Sequence, residues 1–248
     1  MLLTEQLRAD LTALQGVRVF FAHQSVGGNI LHGLASLARQ AGIALRIDPA
    51  DQIADAPGIA QGMAGRNGHP DSKIQYFAGA MARLEPRLPR VALMKFCYVD
   101  FTPSTNSDTL FQNYEDGIRS LQQKYPAVTF VHVTVPLTTR PSSFKDTVKR
   151  LMGRPVRKDE ANARRAAFNH RLRETFERQP IFDLARMEST RPDGTLESFT
   201  SRDGIAAAAL YPGYTSDGGH LNELGQQLAA AEFAHVVAAA ARTNYFAR

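Results

Sequence analysis

A serine near the beginning of the sequence and an Asp/His pair near its end are the residues that could carry out chemistry together. Ser25 lies in the segment HQSVGGN, after an apolar run and before a helical pattern. Asp217 and His220 are separated by two small residues. This spacing lets the chain fold back so that the carboxylate holds one imidazole nitrogen and leaves the other free to accept a proton. The three residues predict a nucleophile, a base and an orienting acid.

Each of these places also has a structural interpretation. Ser25 could simply cap the following helix, and Asp217 could cap the last helix with His220 in its first turn. The glycine-rich start of a helix can also cradle an anion such as a phosphate. No Gly-Lys-Ser/Thr follows Ser25, so the segment is not a P-loop. Chemistry is favoured because the two places lie far apart in the sequence and supply three different roles.

Strands and helices that alternate along the sequence must position these residues. Apolar runs typical of strands begin at Val17, Ile43, Val91, Val128 and Ile181. Helical patterns lie at 30–41, 74–84, 110–124 and 221–242, in a basic stretch up to about 179, and at the N-terminus, where Leu3, Leu7, Leu11 and Leu14 share one face. Parallel strands need helix-length crossovers, and almost purely apolar strands are expected where both faces of a sheet are covered. We therefore predict an α/β fold with a parallel sheet of about five strands.

Ligands bind at the carboxyl ends of the strands in such a sheet. Ser25 lies three residues beyond the predicted end of the first strand, and the Asp217/His220 segment precedes the last helix. Both places are expected at the same edge of the sheet. Two long segments without clear periodicity, 48–72 and 187–216, are predicted to be loops that shape a pocket there.

These two motifs resemble those of the SGNH/GDSL hydrolases, in which the serine follows the first strand and an Asp-x-x-His precedes the last helix. The resemblance extends over nearly the whole chain in element order. It implies one flavodoxin-like three-layer α/β sandwich domain over residues 1–248, with Ser25 as nucleophile, His220 as base and Asp217 as orienting acid. It also implies that no cofactor is needed.

The sequence departs from the family pattern around the oxyanion. His23-Gln24-Ser25 replaces the usual Gly-Asp-Ser, and the family's Gly-x-Asn-Asp falls on Cys97–Asp100 without its asparagine. Gly65 is the preferred backbone donor among the glycines after the second strand, which also include Gly62 and Gly68. The missing side-chain donor is either lost or replaced, with Asn67 or Asn29 as the candidate substitutes.

Three further residues near these motifs have two interpretations each. His23 either lines the pocket or is a structural residue at the end of a strand. Lys95 lies in a strand that should be buried, so it either reaches the rim of the site or pairs with a carboxylate such as Asp100. Cys97 is interpreted as a small core residue rather than a nucleophile.

Composition narrows the classes of partner and compartment. The chain has 248 residues, with 29 Lys and Arg against 24 Asp and Glu, and its basic residues cluster only from Lys145 to Arg173. Acidic residues interrupt this cluster, which favours a solvated helix face over a nucleic-acid or anion site. One cysteine allows no internal disulfide, and the histidines show no metal-ligand spacing, so we predict no metal. No apolar run is long enough to span a bilayer, and no signal peptide is visible, so the chain is expected to be cytoplasmic, or periplasmic or secreted if a leader was removed.

The sequence therefore predicts a serine esterase or deacylase that hydrolyses a short-chain ester, with acetyl as the favoured group and a carbohydrate among the candidate carriers. One alternative is an O-acyltransferase that uses the same residues. The other is a non-catalytic anion-binding module. Hydrolysis is favoured over transfer because the chain has no Trp, which leaves Tyr98, Tyr211 and Tyr214 as pocket aromatics. The substrate and the oligomeric state are not defined by the sequence.

Overall fold

A parallel β-sheet forms the centre of the protein. The computed structural model describes residues 3–50, 56–202, 204 and 206–243. Within this part of the chain, six strands form the sheet in the order β2-β3-β1-β4-β5-β6, and every neighbouring pair is parallel. The strands are β1 (Arg18–His23), β2 (Ile47–Pro49), β3 (Gly58–Met63), β4 (Val91–Met94), β5 (Thr129–Val133) and β6 (Ile181–Phe182).

Helices connect the strands and cover both faces of the sheet. They are α1 (Glu5–Gln15), α2 (Val26–Gln40), α3 (Pro70–Arg83), α4 (Ser107–Lys124), α5 (Phe144–Leu151), α6 (Arg157–Thr175), α7 (Leu184–Ser189) and α8 (Glu223–Arg242). Short 3-10 turns lie at Glu85–Arg87, Tyr98–Asp100 and Pro212–Tyr214. No helix in the described ranges is long and apolar enough to cross a bilayer.

The side chains of β1 show how the two faces are formed. Val19 and Phe21 pack with the buried residues of α1, α2 and α8, whereas Phe20 and Ala22 pack with those of α3, α4 and α6. This alternation follows from the two-residue period of a strand. Both groups are apolar because each face of the sheet is covered by helices. The predicted three-layer α/β fold is confirmed.

The predicted number and position of strands were partly wrong. The strand expected from Ile43 begins only at Ile47 as β2, and β3 lies inside the segment 48–72 that was predicted to be a loop. That segment also contains residues 51–55, which lie outside the described residues. The sequence of β3, GIAQGM, has one β-branched residue and two glycines, so it lacks the usual strand pattern. Backbone pairing with β1 on one side and β2 on the other holds it in the sheet.

Two other segments also differ from the prediction. The predicted loop 187–216 contains the end of α7 and an antiparallel pair, β7 (Ser198–Thr200) and β8 (Ala206–Ala208). The basic helical stretch is divided into α5 and α6. Gly153, with a φ of +64°, and Pro155 lie between these helices. A left-handed glycine followed closely by proline ends a helix, because proline cannot continue it.

The order of the strands places one position at the centre of the sheet's carboxyl edge. β1 lies between β3 and β4, so the chain moves to one side of β1 first and to its other side later. Ligands bind at such a switch point in open α/β sheets. Ser25 follows β1 at this point.

Candidate active site

Ser25 occupies a strained turn between β1 and α2. Its backbone has φ +50° and ψ −105°, and it is the only non-glycine residue with positive φ in the described chain. Although Ser25 directly precedes α2, its side chain makes no capping hydrogen bond. The hydroxyl instead hydrogen-bonds to Nε2 of His220. Backbone strain of this kind is found at sites that must hold a side chain in a fixed direction.

Asp217 and His220 form the predicted carboxylate–imidazole pair. Nδ1 of His220 lies 2.6 Å from Oδ2 of Asp217. The other carboxylate oxygen accepts hydrogen bonds from the backbone N–H groups of Gly219 and His220, both at 2.8 Å. The hydrogen bond from His220 is the main cause that lowers the pKa of Asp217 far below its usual range, so the carboxylate stays charged.

The alternative in which Asp217 caps the last helix does not fit the structure. Asn222 is the N-cap of α8, and its side chain accepts a hydrogen bond from the backbone N–H of Gly225 at 3.1 Å. Asp217 is therefore available to orient the imidazole. Its side chain and that of His220 are 56% and 44% exposed, so solvent reaches this part of the site.

Contacts from distant segments hold the turn that carries His220. The side-chain oxygen of Asn29, in the first turn of α2, accepts a hydrogen bond from the backbone N–H of Leu221 at 3.2 Å. The backbone N–H of Thr139, after β5, donates to the carbonyl of Gly218 at 3.0 Å. These contacts join the beginning, middle and end of the sequence at one edge of the sheet.

Tyr98, one of the three candidate pocket aromatics, lies against His220, a contact that the sequence did not predict. Its hydroxyl lies 3.4 Å from Nε2 of His220, and the two rings meet edge to face with centroids 5.7 Å apart. A Cβ atom on Gly219 would lie 2.8 Å from the Tyr98 ring, so only glycine fits there. The useful signal was its place after β4, beside the position where the family pattern has its asparagine.

Buried Arg165 fixes the backbone of Tyr98. Its Nη2 and Nε atoms donate to the Tyr98 carbonyl at 2.8 and 3.2 Å. The same guanidinium hydrogen-bonds to the side chain of Asn162. Burial lowers the pKa of Arg165 to about 10, which still leaves the group charged at neutral pH. Arg165 belongs to the basic cluster that was predicted to be a solvated helix face, but α6 directs it into the protein.

The three candidate oxyanion donors lie around the same edge. Gly65 follows β3 with φ +48°, and its carbonyl accepts a hydrogen bond from the Gln24 side chain at 2.6 Å, next to Ser25. The amide oxygen of Asn67 accepts from Nζ of Lys73 at 2.9 Å, and that of Asn29 is bonded to Leu221. Their roles as donors stay predictions.

A buried ion pair supports the loop that contains Asn67. Nζ of Lys73 lies 2.7 Å from Asp100, and both side chains are fully buried. Asp100 also accepts hydrogen bonds from the backbone N–H groups of Gly68 at 2.8 Å and Cys97 at 2.7 Å. Removing one partner of such a pair leaves an uncompensated buried charge, so this pair strongly constrains the loop.

Lys95 lies in the core rather than at the rim of the site, where the charges of Glu188 and Asp100 favour its ammonium form. Asp100 is paired with Lys73, and Lys95 is fully buried. Its ammonium donates to the carbonyl of Phe96 at 2.9 Å. Burial lowers the pKa of Lys95 to about 8.

His23 and Cys97 are both buried beneath the site. Nε2 of His23 lies 3.0 Å from the side-chain oxygen of Gln61, and burial lowers the pKa of His23 to about 4, so the ring is neutral. This environment favours the structural interpretation of His23. Cys97 lies in the core, as its strand context predicted. No group of three His, Cys, Asp or Glu side chains that could hold a metal ion occurs among the described residues.

Solved structures with the same overall fold are known. A "putative platelet activating factor" from Streptococcus pneumonia matches 92% of this chain and 90% of its own, with a TM-score of 0.51 and 14% identity. A "putative lipolytic protein of G-D-S-L family" from Desulfitobacterium hafniense DCB-2 matches 89% of this chain and 99% of its own, with a TM-score of 0.46 and 10% identity. The periplasmic domain of a lipopolysaccharide acetyltransferase from Salmonella ser. Paratyphi A matches 90% of this chain and 84% of its own, with a TM-score of 0.49 and 13% identity.

The sequence itself matches no family model and no curated protein. The structural neighbours are GDSL-type lipolytic proteins and acyl-transferring or ester-cleaving enzymes. At these identities the likeness concerns the fold alone, and the structure with a TM-score of 0.51 agrees with the predicted α/β fold.

Proposed function

We propose that the protein is a serine esterase or deacylase that cleaves a short-chain ester, with an acetyl group as the favoured acyl group. The observation that carries this proposal is the continuous hydrogen-bond chain from Ser25 through His220 to Asp217. A serine and its base within hydrogen-bond distance, with the base held by a third group, are the recognised signs of an activated nucleophile.

The reaction follows from this chain of contacts. Oγ of Ser25 attacks the carbonyl carbon while its proton passes to Nε2 of His220. The imidazolium then returns the proton to the leaving alkoxide, which leaves an acyl group on Ser25. Water gives a proton to the neutral imidazole as its oxygen attacks the acyl carbon. The imidazolium then returns that proton to Oγ of Ser25 as the acyl–oxygen bond breaks and the acid is released. Asp217 stays ionised and stabilises the imidazolium in both steps.

Backbone N–H groups complete the proposed chemistry. The negative charge that develops on the carbonyl oxygen needs preorganised donors. The N–H of Ser25, at the start of α2, is one such donor, and the N–H of Gly65 is the second. Gln24 supports this arrangement because its side chain binds the carbonyls of Ala64 and Gly65 at 2.8 and 2.6 Å, which joins the two loops.

Hydrolysis is preferred to acyl transfer because the site is open. About half of each of the His220 and Asp217 side chains is exposed, so water reaches the base. An enzyme that transfers acyl groups must keep water from the acyl-enzyme. A labelled acyl donor incubated with and without an added saccharide should give free acid as the main product. Label found mainly on the saccharide would identify an acyltransferase with the same nucleophile.

A fluorophosphonate probe tests the proposal directly. The wild-type protein should be labelled, and Ser25→Ala should lose both labelling and esterase activity, with a loss of turnover on the order of 10⁴ to 10⁶. Ser36→Ala is the matched control, because Ser36 lies on the same helix, where its hydroxyl accepts from Gln40 at 3.3 Å. A wild-type protein without labelling would leave the anion-binding module as the better explanation. Equal labelling of Ser25→Ala would disprove the choice of nucleophile.

A further inference from the structure

The Tyr98 hydroxyl lies beside the hydrogen-bond chain of Ser25, His220 and Asp217. The hydroxyl faces the imidazole atom that receives the serine proton, at 3.4 Å. Burial raises the pKa of Tyr98, so the group remains a neutral O–H donor at neutral pH.

Three contacts fix the direction of the Tyr98 side chain. Arg165 holds its carbonyl with two hydrogen bonds, and the edge of the ring meets His220. On the remaining side the ring packs on Gly219, where a Cβ atom would not fit. A donor held in this way loses no further conformational freedom during a reaction, which is the condition for effective stabilisation of a developing charge.

We propose that the Tyr98 hydroxyl is the side-chain hydrogen-bond donor to the oxyanion, in place of the asparagine that this chain lacks. The inference rests on the proposed function. As Oγ of Ser25 bonds to the carbonyl carbon, the carbonyl π-electron pair moves to oxygen and the serine proton moves to Nε2 of His220. A protonated Nε2 can no longer accept the Tyr98 O–H. The hydroxyl is therefore released from one acceptor at the moment when a stronger one, the oxyanion, forms beside it.

Tyr98→Phe provides the test, because it removes the hydroxyl and keeps the ring packing. We expect the rate of fluorophosphonate labelling and kcat to fall about 10²-fold, with KM and the thermal midpoint near their wild-type values. Tyr125→Phe is the control, since it removes a hydroxyl that binds Glu85 at 2.8 Å before β5, at the opposite edge of the sheet. It should leave both rates unchanged.

Other outcomes separate the two proposals. A wild-type protein that the probe does not label overturns the proposed function and this inference together. If the probe labels the wild type, and Tyr98→Phe has a labelling rate and kcat within twofold of the wild-type values, the role of Tyr98 is overturned while the proposed function stands. If Asn67→Ala causes the loss and Tyr98→Phe does not, Asn67 is the donor and the inference is wrong.

A second, independent observation concerns the exposed helix α5. None of its residues is buried, and its apolar side chains share one face. Phe144 is 85% exposed and Leu151 is 84% exposed, and the adjacent Met152 is 60% exposed. Three large apolar side chains so close together and so exposed are unusual for the surface of a soluble protein and indicate an interaction site.

The same segment carries a strong positive charge. Residues 144–158 contain six Lys or Arg side chains and one acidic side chain, Asp146. Arg150 is held by Asp159 at the start of α6, with Nε at 2.7 Å and Nη2 at 3.2 Å from its carboxylate. This contact fixes the helix against α6. The segment therefore combines several cations with an apolar face, a combination typical of helices that lie in the interface of an anionic membrane.

The segment that contains α5 begins and ends next to the candidate active site. Thr139, before α5, hydrogen-bonds to Gly218, and the ammonium group of Lys158, after α5, approaches the same glycine. Gly218 lies between Asp217 and His220. The segment that contains α5 is therefore anchored at the turn that carries Asp217 and His220.

We infer that α5 and Met152 dock on an anionic lipid surface, with the apolar side chains between the head groups and the cations on the phosphates. Nucleic acid would use the cations and leave Phe144 and Leu151 in water, so lipid fits the composition better. The inference does not depend on catalysis, because binding is measured without turnover.

Sedimentation with vesicles tests this inference. The wild-type protein should sediment with vesicles of phosphatidylglycerol and much less with vesicles of phosphatidylcholine, and 0.5 M salt, roughly three times physiological ionic strength, should weaken binding. The double variant Phe144→Ser/Leu151→Ser should bind at least about tenfold more weakly. The control Leu196→Ser/Leu224→Ser removes two other exposed leucines, 48% and 44% exposed, and should bind like the wild type.

Each contrary outcome overturns the lipid proposal. The proposal is wrong if the wild-type protein does not bind the phosphatidylglycerol vesicles. It is also wrong if the two double variants lose binding equally. Unchanged binding of Phe144→Ser/Leu151→Ser would show attraction by charge alone. A wild-type dimer in gel filtration that Phe144→Ser/Leu151→Ser converts to a monomer, without vesicle binding, would assign the face to a second copy of the chain.

Discussion

At the scale of single residues, the conformation of Ser25 links the fold to the proposed chemistry. A positive φ at a non-glycine residue costs roughly 1 to 3 kcal/mol and persists only where its surroundings impose it. Here the buried strand β1 precedes Ser25 and buried Val26 follows it. The turn thereby directs the hydroxyl to His220 instead of to the end of α2. We regard this strain as the local requirement for an exposed nucleophile.

The sequence was most informative where the spacing of residues limits geometry. Asp217 and His220 are close in the chain, so their contact could be predicted from the sequence. Ser25 could be added because it follows a clear strand. Tyr98 could be named as a pocket aromatic, but its contact with His220 could not be predicted, since an aromatic residue after a strand has many roles. Arg165 was hidden because a buried arginine on a charged helix has the same sequence pattern as an exposed one.

At the scale of elements, the close contact of α2 with α8 aligns the two motifs. Gly33 of α2 faces the backbone of α8, and a Cβ atom there would lie 2.3 Å from the carbonyl oxygen of Gln226. Because backbone cannot move aside as a flexible side chain can, this contact requires glycine. The helix that begins after Ser25 is thereby packed tightly on the helix that follows His220.

Two glycine substitutions in α2 should have opposite effects on stability. Gly33→Ala should lower the free energy of unfolding by about 1 to 3 kcal/mol, because the added methyl group overpacks the contact with α8. A Cβ atom at Gly28 would have nothing within 4 Å. Gly28→Ala should therefore raise the free energy of unfolding by up to about 1 kcal/mol, because alanine has a higher helix propensity than glycine. Urea unfolding of both variants and the wild type measures the difference. Similar effects of the two changes would contradict the close packing.

The elements that the sequence did not reveal are those without an apolar pattern. β1, β4 and β5 are buried on both faces and appear as apolar runs, so they were predicted nearly in place. β3 was missed because its neighbours, rather than its own side chains, determine its conformation. β7 and β8 are three residues each, which is too short for periodicity to indicate a strand.

At the scale of the whole molecule, charge is distributed unevenly. The chain has a net charge of +5, and the segment around α5 alone holds six cations against one acid, so the rest of the chain is close to neutral. In the core, the charges of Lys73 and Asp100 neutralise each other. Much of the excess positive charge therefore lies in this one segment of the sequence. The lipid proposal depends on this cluster of positive charge. The rest of the chain has no comparable excess of cations that would indicate a nucleic-acid site.

Buried histidines should make global stability depend on pH. His132 is stacked on Phe176 with ring centroids 3.7 Å apart, and its nitrogens lie 2.9 Å from the Tyr114 hydroxyl and the Gln179 side chain. Burial lowers its pKa to about 4 from the usual 6.5. In the unfolded chain His132 binds a proton below about pH 6.5, whereas in the folded chain it does so only below about pH 4. The free energy of unfolding must therefore fall as the pH falls from about 6.5 to about 4.

Other groups contribute to the same curve. His23 acts in the same direction, with its pKa also lowered to about 4. Glu188 acts in the opposite direction, because burial raises its pKa to about 8 and the stability that its bound proton provides is lost as the pH rises. The contribution of His132 is therefore best isolated as a difference between a variant and the wild type, in which the other groups cancel.

His132→Gln should reduce the pH dependence of unfolding even though it also lowers stability at pH 7. Between pH 7 and pH 4.5 the wild type should lose about 2 kcal/mol more than the variant, since linkage at a group with a pKa lowered from 6.5 to about 4 gives this difference. Urea unfolding at several pH values measures it. The exposed His32→Gln is the control and should follow the wild-type curve. Parallel curves for His132→Gln and the wild type would show that His132 takes up its proton equally in the folded and unfolded chains, contrary to its burial.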